Sequence, residues 1–182
     1  MPDAPKILTS REVMASRLFH VVEAQLQFSN GEKRTYEFLQ SEHTSAVIIV
    51  PMLDDNTVLL LEEYGVGLDR YELGLPKGRV DVGETHLEAA NRELKEEAGY
   101  GSRDLRLLRS VSLSPQYMTH QTQIVLARDL YEERLAGDEP EQLRVVPCDI
   151  NDIASIVTRE NVSEARSIAA LYLARDWLQQ HG

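Results

Sequence analysis

The stretch from Gly78 to Tyr100 constrains this chain more than any other, because it reads as a loop that runs straight into a helix. Gly78 and Gly83 bracket the loop, where positive φ and close backbone approach are tolerated. Thr85 followed by Glu88 fits a capping box, so the spacing predicts a helix from about His86. Gly99 suits the left-handed residue that closes it. Leu87, Ala90, Leu94 and Ala98 recur at helical spacing and predict its buried stripe.

Beside that stripe lie Glu93, Glu96 and Glu97, which share a face at spacings of three and four. Adjacent carboxylates repel, and one of them keeps its proton unless a cation compensates. All-oxygen ligands suit a hard divalent ion, and Mg²⁺ is the natural choice where phosphates complete its shell. Arg92 can pair with Glu96 one turn on. Taken alone, three glutamates are better read as a solvated acidic helix face.

They do not stand alone. Gly78, Glu84, Arg92, Glu93, Leu94, Glu96, Glu97 and Gly99 fill every fixed position of the Nudix box, and the chain resembles the Nudix hydrolases on those residues. Tyr100 departs mildly, standing where an aliphatic residue is usual. The resemblance implies an α/β fold, an α/β/α sandwich with a mixed sheet. It also implies metal-dependent cleavage of a nucleoside diphosphate linked to another group, with Mg²⁺ as cofactor and Mn²⁺ as its substitute. In that family the residue before the first box glycine offers its backbone carbonyl to the metal, which here is Lys77. The alternative for Lys77 is an ammonium reaching phosphate. Arg79 is the stronger phosphate candidate, and solvated surface charge is the competing reading for both.

Around the box, Val21 to Phe28 and Lys33 to Leu39 alternate as strands, with the Asn30-Gly31 turn pair between them, so an N-terminal β-hairpin is expected. Met1 to Thr9 reads as a loose lead-in. Ala46 to Pro51 and Thr57 to Glu63 read as buried strands, and Leu105 to Leu113 and Thr122 to Ala127 as two more. A strand centred on Val145 and Val146 follows, then a short helix capped by Asp149. A last helix from about Ser163 to Gln179 is expected to bury Ala165, Ile168, Ala169, Tyr172 and Leu178. The expected organisation is an N-terminal segment over residues 1–45 and a hydrolase domain over residues 46–182. Nudix proteins acting on ADP-ribose-like substrates carry such a hairpin outside the catalytic fold, and it implies a homodimer.

Two residues after the box bear on the substrate. Pro115 stands about where ADP-ribose pyrophosphatases place a proline, and Tyr117 about where diadenosine-polyphosphate hydrolases place a tyrosine. Together with the strings Tyr71-Glu72-Leu73-Gly74 and Gly137-Asp138-Glu139-Pro140-Glu141, they make the chain similar to ADP compounds hydrolases of the NudE type. That resemblance implies Mg²⁺-dependent release of AMP from ADP-ribose, diadenosine triphosphate and NADH. The NADH-pyrophosphatase array is missing. In the ADP-ribose branch an acidic loop supplies a catalytic glutamate, so Glu139 is expected as general base and Glu141 as a further metal ligand. Glu97 is the alternative base, and Arg92 completes the catalytic set. A solvated loop tip is the competing account of Glu139 and Glu141, and an edge-of-core position that of Tyr117. Another nucleoside diphosphate sugar as substrate, or a nucleotide sensor without turnover, are the alternative functions.

The formal net charge of −11 argues against electrostatic binding of nucleic acid or anionic membrane. Bound Mg²⁺ reconciles so acidic a chain with a phosphate-rich substrate by inverting the local charge. A single cysteine, Cys148, allows no intrachain disulfide, and no apolar run spans a membrane. A cytoplasmic enzyme is the expectation. Histidines 20, 43, 86, 120 and 181 show no metal-ligand spacing.

Overall fold

The computed structural model describes residues 3–41 and 45–181, so His43 lies outside the described residues. Its chain divides into two compact units: Met1–Thr44 with Ser112–Gln121, and Ser45–Val111 with Thr122–Gly182.

The first unit is a three-stranded antiparallel sheet in the order β1-β2-β3, built from β1 (Lys6–Ala15), β2 (His20–Gln27) and β3 (Lys33–Gln40). The expected hairpin is β2–β3, in register from His20↔Gln40 to Gln27↔Lys33. Gly31 takes φ +84° in its turn, a conformation that a side chain disfavours. Of the lead-in expected over Met1 to Thr9, Lys6–Thr9 is instead strand, and Met1 and Pro2 lie outside the described residues. β1 pairs with β2 from Lys6↔Gln27 to Ala15↔His20. All ten of its residues are exposed, so it has no buried face to leave a period in the sequence. Segment Ser112–Gln121 joins this sheet: Leu39 N–H donates to the Tyr117 carbonyl at 2.7 Å, and Thr119 N–H to the Leu39 carbonyl at 3.1 Å.

The second unit holds two sheets and the helices. One sheet runs β7-β4-β9-β8, from β4 (Ser45–Pro51), β7 (Lys77–Arg79), β8 (Tyr100–Ser112) and β9 (Gln121–Glu132). The other runs β10-β5-β6, from β5 (Thr57–Gly65), β6 (Arg70–Gly74) and β10 (Arg144–Asp149). Strand alternation sorts the core into two layers. Val47 and Ile49 of β4 pack with Leu61, Val125 and Ala127 against α1 (His86–Glu93) and the turn after it. Ile48 and Val50 pack with Leu60, Ile124 and Leu126 against α2 (Ile153–Val157) and α3 (Ala165–His181). Helices therefore cover both faces, the α/β/α sandwich the resemblance implied.

Two helix faces differ from expectation. In α3 the buried residues are Ser167, Ala170, Leu171 and Ala174, while Ala165, Ala169 and Tyr172 are exposed. Hydrophobicity alone misplaced this face because it carries a serine, whose hydroxyl oxygen accepts the Leu75 N–H at 3.2 Å. In α1 the buried residues are Ala89 and Ala90, whereas Leu87 is exposed. Among the described residues no helix is long and apolar enough to cross a membrane.

Candidate active site

The helix at the centre of the site begins as its sequence demands. Thr85 Oγ1 accepts the Glu88 N–H and Glu88 Oε2 accepts the Thr85 N–H at 2.8 Å, a complete capping box. After Glu93 the helix widens into one π-helical turn, Leu94–Ala98, closed by Gly99 at φ +79°. Such turns favour functional sites because they re-aim side chains locally. Here the turn buries Leu94, Glu97 and Ala98 together.

Glu97 is 8% exposed, and its Oε2 accepts the Lys77 N–H at 3.0 Å. Burial pushes its carboxyl up to about 8; the Lys77 charge and N–H oppose this, and Glu93 and Glu63 add to it. Glu93 is also pushed up, by burial first, with Arg92 opposing and Glu96 and Asp138 adding. Gly78 lies so close to Glu93 that a Cβ there would stand 1.9 Å from its carboxyl carbon. The loop glycine is thus required by a carboxylate fifteen residues on.

Arg92 organises the rest. Its Nε and Nη2 donate to the two oxygens of Glu84, at 2.8 and 3.0 Å, a bidentate pair. Nη1 donates to Glu93 at 2.8 Å and to Glu96 at 3.0 Å, and Nη2 also donates to the Arg79 carbonyl at 2.9 Å. The expected Arg92–Glu96 pair is one strand of this web. Glu84, assigned no role from sequence beyond its place in the motif, is its anchor.

Lys77, Arg79, Arg92, Glu93, Glu96, Glu97 and Glu139 line one cleft of about 430 Å³, together with Gly78 and Asp138. That is room enough for a diphosphate and part of its substituents. Glu139 comes from the loop after β9, and burial, Glu63 and Asp138 push its carboxyl up, against Lys77. Glu141 lines the adjoining cleft, which Glu139 also borders, and its carboxylate accepts the Tyr71 hydroxyl at 2.7 Å. The Lys77 ammonium is paired with Glu63. Pro115 and Tyr117 belong to the first unit; Tyr117 is 64% exposed and so no core residue. Among the described residues no three acidic, histidine or cysteine side chains already form a metal cage. Glu63 lies on a strand outside any motif, and Tyr71 stands in the sequence only as part of the Tyr71-Glu72-Leu73-Gly74 string, with no role of its own.

A family model for the NUDIX domain matches residues 42–171, and one for the NudE-type Nudix hydrolase N-terminal domain matches residues 5–37. The chain is similar to "ADP compounds hydrolase NudE" of Escherichia coli (strain K12), 46% identical over 178 residues, which are 98% of this chain and 95% of that protein. It is 23% identical over 168 residues to an "ADP-ribose pyrophosphatase" of Bacillus subtilis (strain 168), covering 91% of this chain and 90% of that one. A crystal structure of an ADP compounds hydrolase superposes with a TM-score of 0.93 at 44% identity, over 100% of this chain and 98% of that chain.

Proposed function

The chain belongs to the Nudix hydrolase family, and from that premise we propose that it hydrolyses the diphosphate of ADP-linked compounds, releasing AMP, with Mg²⁺ as cofactor. ADP-ribose and diadenosine triphosphate are the favoured substrates, with NADH a third. Near full-length similarity to an ADP compounds hydrolase carries the substrate class. The cleft carries the chemistry. Its candidate ligands are carboxylate oxygens, and the most buried of them, Glu97, is pushed up by burial, so a hard divalent ion fits. Glu93, Glu96 and Glu97 would hold it. When bound, such an ion neutralises phosphoryl oxygens and acidifies a coordinated water.

The chain's own groups do the rest. Arg92, fixed by Glu84, holds Glu93 and Glu96 at defined angles. The Lys77 N–H holds Glu97. Glu139 takes a proton from the attacking water as its oxygen bonds to one phosphorus. The bridging P–O bond then breaks, leaving AMP and the phosphorylated remainder. Arg79 contacts phosphate, and Pro115 and Tyr117 contact the nucleoside. The test is product analysis by chromatography after incubation with Mg²⁺ and a panel of ADP-ribose, diadenosine triphosphate, NADH and other nucleoside diphosphate sugars. AMP from the ADP-linked members is expected. Turnover confined to non-ADP sugars overturns the substrate class, and binding without turnover across the panel makes the protein a sensor.

The same reading makes the protein a homodimer through residues 1–45, with residues 46–182 as the hydrolase. Every residue of β1 is exposed, and Ile7, Met14, Leu18 and Phe19 are each more than half exposed (69%, 58%, 71% and 52%). So much apolar surface on a small sheet calls for a cover, and a two-fold axis supplies one. Light scattering at micromolar concentration is expected to give twice the chain mass of 20.6 kDa. A 20.6 kDa species there rules the dimer out.

A further inference from the structure

Glu139 rides on a loop with few attachments. The loop is pinned at one end by Leu135, whose N–H donates to the Lys95 carbonyl at 3.2 Å, and at the other by the buried Leu143. Residues 136–142 between them are all exposed. Among the described residues, their one side-chain hydrogen bond runs from the Tyr71 hydroxyl to Glu141 Oε1, at 2.7 Å and across 70 positions of sequence.

Tyr71 is well placed to hold something still. It lies on β6 directly across from Tyr64 of β5, in antiparallel register. The two rings meet edge to face, 5.4 Å between centroids and 69° between planes. The Tyr64 hydroxyl in turn bonds to Asp69 in the turn between the strands. The phenol is therefore a post on a braced hairpin. Glu141 is two residues from Glu139, and at about 3.3–3.6 Å per residue a tether at 141 holds Glu139 within roughly 7 Å of it. Glu139 borders both clefts, whereas Glu141 borders the second alone.

We propose that Tyr71 is a positioning residue that latches the acidic loop through Glu141 and so presents Glu139 to the cleft; this rests on the reading above, in which Glu139 acts there. On this view Glu141 serves as the acceptor of the latch, through Oε1. The ring stays in place when the hydroxyl is removed, so Tyr71→Phe isolates the bond.

Two measurements on the full-length protein test it: backbone ¹⁵N relaxation of residues 136–142, and steady-state kinetics on ADP-ribose across an Mg²⁺ titration. In Tyr71→Phe the loop order parameters are expected to fall into the flexible range, below about 0.6, since the side-chain bond that holds the loop is gone. The kcat is expected to fall roughly fivefold, with KM and the Mg²⁺ half-saturation within about twofold, because the loop presents a base rather than binding nucleotide. Glu141→Ala should match it, and the double variant should be no worse than either single one. Glu141→Gln keeps an acceptor for the phenol and should recover most of the rate that Glu141→Ala loses. A Tyr71→Phe protein with wild-type kcat, or with unchanged order parameters at 136–142, overturns the latch. So does a Glu141→Gln protein as damaged as Glu141→Ala with a raised Mg²⁺ requirement, which makes Glu141 a metal ligand. If Glu139→Gln is inactive while Tyr71→Phe is normal, the latch alone falls. If Glu139→Gln turns over normally, the reading beneath the latch falls with it.

Discussion

Glu97→Gln is expected to lower the turnover of ADP-ribose by about two to three powers of ten while leaving the fold intact. The size follows from what the residue does. Lewis-acid stabilisation of a phosphoryl transition state is worth several kcal/mol, and each ~1.4 kcal/mol is a factor of ten. An amide keeps the shape of Glu97 and its acceptor for the Lys77 N–H. It removes the negative charge that would bind the ion. Excess chelator should abolish activity in the wild-type protein, and Mg²⁺ should restore it. Full activity in excess chelator would remove the metal from the mechanism, and a near-normal rate in Glu97→Gln at saturating Mg²⁺ would remove Glu97 from the site.

The same carboxyl gives the prediction a pH signature. Burial pushes Glu97 up to about 8, far above the ordinary carboxylate range. Between that ordinary range and about 8 the folded, metal-free protein holds a proton that the unfolded chain has released. Its stability relative to acidic pH is therefore lost as pH rises through about 8. A cation must displace that proton below pH 8 but finds none to displace above it. The apparent Mg²⁺ affinity should then rise about tenfold per pH unit from 6 to 8 and level off beyond, one proton being exchanged. Glu97→Gln should flatten this slope. Isothermal titration with Mg²⁺ at a series of pH values measures both.

How much of this was legible in the sequence depended on whether a feature had a local cause. The capping box at Thr85 and Glu88, the turn at Asn30-Gly31 and the helix stop at Gly99 all appear as expected, because each is decided by residues within a few positions. The alternating burial of Val47, Ile48, Ile49 and Val50 is likewise forced by strand geometry once helices cover both faces. The π-helical turn at Leu94–Ala98 carries no such local mark. Its effect is to bury Glu97, and that depends on the strand behind it. The first part of strand β1, Lys6–Thr9, reads as lead-in because the strand is exposed along its whole length and so leaves no buried alternation in the sequence. The Lys77–Glu63 and Tyr71–Glu141 contacts were invisible for a related reason. Each joins residues 14 and 70 positions apart that meet only after β5 and β6 have folded against the rest of the unit. Gly78 is the instructive intermediate. The motif marks the glycine, but the reason a side chain is excluded, the Glu93 carboxyl, is a fact of three dimensions.

Glu139→Gln should separate chemistry from binding more sharply than any other substitution in this protein. Two carboxylates compete for the role of general base, and their surroundings differ. Glu97 is buried and tied to the Lys77 N–H, a geometry suited to holding an ion in one place. Glu139 makes no hydrogen bond among the described residues and borders the cleft from an exposed loop. Burial and the neighbouring Glu63 and Asp138 push its carboxyl up, toward the operating pH, which favours proton transfer in the transition state. Replacing it by an amide preserves size and polarity but leaves no group to take the water's proton. The kcat should fall by roughly 10²- to 10⁴-fold, the span typical of general base catalysis. KM for ADP-ribose and the Mg²⁺ half-saturation should stay within about threefold, because on the proposed mechanism other residues would hold the ion and the nucleotide. The acid limb of the kcat profile should vanish together with the base that titrates there. Rapid-quench measurement of a single turnover should place the whole loss in the bond-breaking step. A Glu139→Gln protein that turns over within a few-fold of wild type and keeps its acid limb transfers the role to Glu97. The Lys77 N–H bond would then be an orienting contact for a base, and the metal would rest on Glu93 and Glu96 with the Arg92 web behind them.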